Sequence, residues 1–197
     1  MYVNIIMTSL ISHSIKHRSQ PKDVFITPPE LAKRHIDMVK EEVSWSEDCT
    51  SVLNSLENWY DPFKNSGNYF NQFPDVGEEH EWAEILENKD FFEYTPKRIP
   101  RVICSNPPYS MIDAVLKRSV DLQPQFISYL LCFHHLTTKR LEMMEEAGYV
   151  LIKCSITKVF KWYGMSCICI WERNQLRESC IGYDRKVWRE EKTKKLK

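Results

Sequence analysis

The feature that most constrains the fold is a pair of prolines placed directly after a short apolar run. Residues 101–104 are typical of a buried strand, and Ser105-Asn106-Pro107-Pro108-Tyr109 follows them at once. Consecutive prolines fix two φ angles and remove two N–H donors, so the backbone is pre-set in a turn that presents its carbonyl groups. The chain is therefore expected to leave a buried strand through a rigid turn flanked by Asn106 and Tyr109.

Size and charge restrict the protein to a few classes. The chain has 197 residues, 43% of them apolar, which suits one domain with a substantial core. Its 27 basic and 27 acidic residues give no net charge, and this balance does not favour strong non-specific binding of nucleic acid. The charge is uneven, since residues 75–93 are acidic and residues 185–197 are mostly basic.

The cysteines and the apolar runs indicate an intracellular protein in a reducing compartment. Seven cysteines are present and none lies in a C-x-x-C pair; Cys167 and Cys169, two apart on a predicted strand, are interpreted as small buried hydrophobes. The start of the chain is not a convincing signal peptide, and no apolar run reaches the roughly 18 residues of a membrane span.

The order of predicted elements is that of an α/β fold. Thr27 is expected to cap a helix that opens with Pro28 and Pro29, with Glu30 completing a capping box. Strands are predicted to end near residues 60, 85 and 104, and a fully apolar strand is predicted over 126–133. Helices are predicted over 111–121 and 137–147, and two strand-like runs, 149–160 and 166–171, indicate a terminal antiparallel hairpin.

The turn after residue 104 carries groups suited to one kind of chemistry. The exocyclic amine of a base is planar and weakly nucleophilic, so a catalyst must hold it with acceptors such as the Asn106 amide oxygen and the Pro107 carbonyl. Tyr109 can stack on the base. The Asn106-Pro107-Pro108-Tyr109 tetrad resembles the catalytic motif of S-adenosylmethionine-dependent amino-methyltransferases, most closely the N6-adenine DNA methyltransferases. The alternative is a rigid turn without chemistry.

A second segment resembles the cofactor loop of that family. Residues 61–67 read Asp-Pro-Phe-Lys-Asn-Ser-Gly, where the family usually has Asp-Pro-Phe/Cys-x-Gly-x-Gly. The resemblance implies that Asp61 accepts from the cofactor's ammonium group and that Phe63 and Gly67 belong to the cofactor site. Asn65 replaces the first glycine, but asparagine tolerates positive φ better than most residues. An ordinary turn is the alternative.

Two further cofactor contacts are implied by the same resemblance. Glu84 lies about 20 residues beyond the loop, where a carboxylate accepts both ribose hydroxyls in dinucleotide folds; a solvated acid is the alternative. Asp90 would accept from the adenine amine of the cofactor, and Phe91 would pack on that ring. A polar loop followed by core aromatics is an equal alternative.

The order of these motifs matches one subclass of the family, often called gamma. Thr27-Pro28 resembles the motif upstream of the cofactor loop, and Thr27 is assigned to the cofactor site by that resemblance. The full order along the chain is Thr27, Asp61, Glu84, Asp90, Asn106.

Aromatic residues in the hairpin turn are candidates for holding the target base. Trp162 and Tyr163 occupy the place where the family often stacks an aromatic on a flipped base; packing within the hairpin is the alternative. His134 and His135 are interpreted as residues at a strand end. The chemistry requires no metal, because a sulfonium is already a good leaving group.

The resemblance implies a Rossmann-like class I methyltransferase sheet with a terminal antiparallel hairpin. The expected organisation is an extension over 1–22, a methyltransferase domain over 23–175 and a basic tail over 176–197. S-adenosyl-L-methionine is the expected cofactor and adenine in DNA the expected substrate, in a compact form similar to the enzymes of phages and large DNA viruses. RNA adenine, a protein glutamine amide and a non-catalytic binding subunit remain open. Recognition of the target is expected to come from loops, from residues 1–22, from the basic tail or from a second chain, which would be another copy or a separate specificity subunit.

Overall fold

The computed structural model describes residues 25–45, 58–75, 80–158, 165–174 and 176–183. Within those ranges the helices are α1 (Pro29–Trp45), α2 (Ile112–Asp121) and α3 (Thr138–Glu146). The strands are β1 (Trp59–Asp61), β2 (Glu81–Trp82), β3 (Val102–Ser105), β4 (Phe126–Cys132), β5 (Tyr149–Thr157) and β6 (Ser166–Arg173). Single turns of 3-10 helix follow β1, β2, β3 and β4.

The six strands form one mixed sheet in the order β2-β1-β3-β4-β6-β5. β2, β1, β3 and β4 run parallel, and β6 inserts antiparallel between β4 and β5. This arrangement confirms the predicted α/β class and the antiparallel insertion of the last strand. Strand order reverses between β1 and β3, because the chain moves outward from β1 to β2 and then returns to β3 on the other side.

The two faces of the sheet are covered by different helices. α1 packs its buried residues Ala32, Ile36, Val39 and Val43 on one face, while α2 and α3 cover the other. Side chains alternate along β3, so the strand contributes to the core on both faces of the sheet. Val102 and Cys104 pack on the side of α1, and Ile103 packs on the side of α2 and α3. Among the helices of the described ranges, none combines the length and apolar character needed to cross a bilayer.

Two local predictions are wrong in detail. α1 begins at Pro29, so the residue before it is Pro28, and the hydroxyl of Thr27 accepts from Asn106 instead of serving as the predicted cap. The strand expected over 81–85 ends at Trp82, and Glu84 instead caps the 3-10 turn that follows. Thr27 bonds Asn106 and Glu84 bonds Asn65, and the local periodicity of the sequence does not reveal contacts with segments so far along the chain.

Described residues beyond the predicted boundary at residue 175 contact the sheet and its core. The amide of Cys180 donates to the Leu151 carbonyl at 2.8 Å, and Ile181 and Tyr183 pack against the core. The basic residues of the predicted tail from 184 onward lie outside the described residues, as does the extension over 1–22.

Candidate active site

The predicted catalytic and cofactor segments meet where the strand order reverses. Asp61 is the last residue of β1 and Ser105 the last residue of β3, and these parallel strands are neighbours. The Ser105 hydroxyl donates to Asp61 Oδ1 at 2.6 Å. The carboxyl ends of strands at such a switch point are the usual ligand-binding crevice of an open α/β sheet.

Asp61 has a buried carboxyl group whose two oxygens are bonded differently. Its side chain is fully buried, and Oδ1 accepts from Ser105 and from the Phe63 amide at 3.2 Å. Burial raises the pKa of Asp61 from 3.8 to about 7, although hydrogen bonds from Ser105 and from the backbone amides of Phe63 and Phe70 oppose the shift. No hydrogen bond of normal geometry reaches Oδ2 within the described residues. A cation placed at Oδ2 would lower the pKa again and relieve an unsatisfied acceptor.

The loop after β1 adopts the backbone that its glycine pattern requires. Gly67 has a φ of +82°, and Asn65, which replaces the family's first glycine, has a φ of +47°. The expectation that asparagine accepts this conformation is confirmed. A Cβ on Gly67 would lie 2.8 Å from the side-chain nitrogen Nδ2 of Asn71, so that side chain would have to move, and the positive φ would strain any other residue there.

Glu84 is buried against this loop. Its Oε2 accepts from the Asn65 amide at 2.9 Å, and its Oε1 accepts from the Leu86 amide at 3.1 Å. The carboxylate therefore fixes the loop after β1 from the segment that follows β2.

Asp90 and Phe91 are placed differently from each other. Asp90 accepts from the Phe92 amide at 3.0 Å and lies part-exposed in the loop before β3. Phe91 is fully buried, with its ring 5.2 Å from that of Phe63 and 6.1 Å from that of Tyr60. Phe91 thus packs from within the core against Phe63 of the loop after β1. Its neighbour Phe92 is the aromatic residue that is partly exposed.

Asn106 presents an unpartnered acceptor. Its Nδ2 donates to Thr27 Oγ1 at 3.1 Å, which brings the first and last predicted motifs together across 79 residues of sequence. Its Oδ1 is buried and has no hydrogen-bond partner among the described residues. Thr27 is held in turn, since its carbonyl accepts from the Asn68 side chain at 2.7 Å.

Tyr109 lies half-buried beside a histidine that sequence reasoning assigned no role. The rings of Tyr109 and His135 are 5.0 Å apart, and the Arg140 guanidinium donates to the His135 carbonyl at 3.0 Å. Burial lowers the pKa of His135 to about 4, helped by His134 and Arg140, so the imidazole is neutral at pH 7. His135 therefore supports the Tyr109 ring as an uncharged surface.

Sequence reasoning missed several polar residues behind the site. Ser105 stood next to the tetrad and was passed over, while His35, Tyr69 and Ser128 form a buried cluster beneath α1. The available signal was a histidine within the apolar stripe of a helix. Trp162 and Tyr163, predicted to hold the target base, lie outside the described residues in the connection between β5 and β6.

Three cysteines converge on the hairpin. The sulfur atoms of Cys154, Cys167 and Cys169 lie within 4.8 Å of one another, and those of Cys167 and Cys169 are 3.4 Å apart. The two predicted to point the same way do so, and both are fully buried in the core. Burial raises the pKa of Cys169, which favours the protonated thiol there.

Comparison with solved structures identifies the fold. The magnesium protoporphyrin IX methyltransferase of Synechocystis PCC 6803, solved with bound S-adenosylmethionine, aligns with a TM-score of 0.53 at 11% identity, over 72% of this chain and 79% of that one. The METTL16 methyltransferase domain aligns with a TM-score of 0.50 at 13% identity, over 78% and 71%. No protein-family model and no curated protein matches the sequence. The chain therefore has the Rossmann-like fold of the class I, S-adenosylmethionine-dependent methyltransferases.

Proposed function

We propose that this protein transfers a methyl group from S-adenosylmethionine to the N6 amine of adenine in DNA. The observation that carries the proposal is the buried, unpartnered amide oxygen of Asn106 at the carboxyl end of β3. A buried acceptor without a donor costs about 1–3 kcal/mol, and such a cost is expected where a ligand supplies the donor. An amine hydrogen is a donor of that kind.

The residues beside Asn106 fit the proposed cofactor. Asp61 offers its carboxylate oxygen Oδ2 for an ammonium group, and Gly67 has a positive φ at which a side chain would be strained. Glu84 and Asp90 lie on the segment between β2 and β3, and each accepts a hydrogen bond from a backbone amide. When bound, S-adenosylmethionine supplies an electrophilic methyl group on a positively charged sulfur.

The tetrad would orient the amine. Asn106 Oδ1 and the Pro107 carbonyl accept its two hydrogens, which raises the electron density on nitrogen and stabilises the positive charge that develops there. Pro107 and Pro108 are buried, so the turn that carries both acceptors is fixed before substrate arrives. Tyr109 would stack on the base, and burial keeps its hydroxyl protonated by raising its pKa.

Exposed apolar side chains surround this end of the sheet and suit a flat base. Ile26 precedes Thr27, Phe133 follows β4 and Met165 precedes β6; their exposed fractions are 55%, 37% and 54%. The Phe133 amide donates to the Met165 carbonyl at 2.7 Å, so two of them share one rim. Trp162 and Tyr163 belong to the connection that leads into this rim, and we retain them as candidates for base stacking.

DNA is the proposed partner, and a second chain is proposed to add sequence recognition. The second chain would be another copy or a specificity subunit, because the neutral charge of this chain gives little attraction to phosphates.

The proposal is tested by transfer of labelled methyl groups to duplex DNA, single-stranded DNA, RNA and protein, followed by nucleoside analysis. We expect N6-methyladenine from DNA. Asn106→Ala should lower the transfer rate by at least about 100-fold while the cofactor Kd stays within a few-fold. Asn174→Ala, which removes an asparagine outside the site, is the matched control. Product from RNA or protein alone would reassign the substrate, and loss of cofactor binding in Asn106→Ala would refute the role given to that residue.

A further inference from the structure

The terminal hairpin brings three cysteines together on one face of the sheet. Cys167 and Cys169 lie two residues apart on β6, and Cys154 on β5 is paired with Cys169 across the two strands. Both β6 cysteines belong to the core on the side of α2 and α3, and Cys154 packs against the same core. The strand geometry produces this cluster, because residues two apart on a strand share a face.

The distances between the sulfur atoms suit a single metal ion. All three Sγ atoms lie within 4.8 Å of one another, and those of Cys167 and Cys169 are 3.4 Å apart. Zinc binds thiolate sulfur at about 2.3 Å with tetrahedral geometry, so two sulfurs on one zinc ion are about 3.8 Å apart. Three S–Zn bonds therefore require only small shifts of the three side chains.

The donor atoms determine the class of metal. All three donors are sulfur, and the six cysteines in the described part of the chain are free thiols. Soft thiolates favour zinc and copper(I), whereas magnesium, calcium and manganese prefer oxygen donors. Copper(I) on three thiolates leaves two negative charges, and zinc leaves one. Because charge is costly in a buried place, the smaller residual charge favours zinc.

The exposure of the three cysteines defines the side from which an ion enters. Cys167 and Cys169 are both 0% exposed, whereas Cys154 is partly exposed. A zinc ion with three protein ligands keeps a fourth position for water or another donor. We expect that position on the side of Cys154, where solvent is nearest and where the residual negative charge is least costly.

We infer that Cys154, Cys167 and Cys169 form a zinc site that ties β5 to β6. On binding, three thiols release their three protons to the solvent as three S–Zn bonds form, and nothing is oxidised or reduced. The bonds cross the hairpin, so the ion stabilises the pairing of the last two strands. This inference is independent of the proposed methyl transfer, because none of its steps involves the cofactor or the tetrad.

Zinc uptake by the full-length protein tests the inference. Protein that has been stripped with a chelator and kept reduced is titrated with Zn²⁺ in competition with a chromophoric chelator. We expect one tight site per chain, and Cys154→Ser should weaken zinc binding by at least about 100-fold. Serine is tolerated at this partly exposed position. Cys180→Ser is the matched control, since it removes an exposed cysteine outside the cluster and should bind zinc like wild type.

Cobalt(II) identifies the ligands independently of affinity. Thiolates bound to Co²⁺ give sulfur-to-metal charge-transfer absorption in the near ultraviolet, which Zn²⁺ should abolish by displacing the cobalt. We expect this absorption in wild type and Cys180→Ser, and its loss in Cys154→Ser and Cys167→Ala, with circular dichroism confirming that each variant is folded. Zinc should also raise the Tm of wild type but not that of Cys154→Ser. Absence of zinc uptake by reduced wild type, or equal zinc affinity in wild type and Cys154→Ser, would overturn the inference.

Discussion

The Asp61 carboxyl makes the stability of this protein depend on pH. Its pKa is about 7 in the folded chain against 3.8 unfolded, so folding takes up a proton between those values. The contribution of this carboxyl group to the free energy of unfolding is then fully present below about pH 4. It is lost as pH rises through 7, and it amounts to roughly 4 kcal/mol at most. Asp61→Asn removes this dependence. We expect the variant to be more stable than wild type at pH 8, with the difference shrinking to near zero at pH 4, in urea unfolding at each pH.

The same residue links pH to ligand affinity under the proposed function. An ammonium group binds the ionised carboxylate, so cofactor affinity should rise as pH passes through about 7, and Asp61→Asn should bind weakly at every pH. Calorimetry in two buffers of different ionisation enthalpy would detect proton release on binding at pH 6. Equal pH dependence of the unfolding free energy in wild type and Asp61→Asn would show that the folded pKa is not raised.

At the scale of single elements, the loop after β1 contains two residues with positive φ, Asn65 and Gly67, which should respond differently to substitution. Gly67→Ala places a Cβ at a φ of +82° and should lower the free energy of unfolding by about 1–2 kcal/mol, with weaker cofactor binding. Asn65→Gly restores the family pattern at a φ of +47°, where asparagine already fits, and should change stability by less than about 0.5 kcal/mol. Chemical denaturation of both variants provides the measurement. Equal losses would contradict the distinction.

Elements whose signal is local were predictable, and contacts between distant segments were not. The double proline ended β3 where expected, and the apolar run over 126–133 became β4. The bond of His35 to Ser128 spans 93 residues, so only the arrangement of α1 on the sheet brings those side chains together. Phe91 was predicted by resemblance to contact the cofactor, and its burial in the core, which depends on Phe63 and Tyr60, could not be read from the local pattern.

At the scale of the whole molecule, the order of the motifs along the chain predicted which segments meet, because the topology is simple. Parallel neighbours β1 and β3 end at the same edge, so Asp61 and Ser105 had to be close once both strands were identified. The segment after β6 carried no comparable signal. It contacts β5 through the Cys180 amide and α3 through the Tyr183 hydroxyl, and such isolated contacts leave no periodic pattern in the sequence.

Arg177 is expected to couple that segment to the stability of the whole domain. Glu172 on β6 is only 2% exposed, and the Arg177 guanidinium lies 2.8 Å from its carboxylate. Arg177→Met leaves this buried charge without its cation, which should lower the free energy of unfolding by on the order of 1–3 kcal/mol, while adding Glu172→Gln should restore most of the loss. Lys33→Met is the control, since it breaks an exposed pair with Asp37 and should cost less than about 0.5 kcal/mol. If urea unfolding gave equal losses for Arg177→Met and Lys33→Met, the Arg177–Glu172 pair would contribute no more to stability than an exposed ion pair.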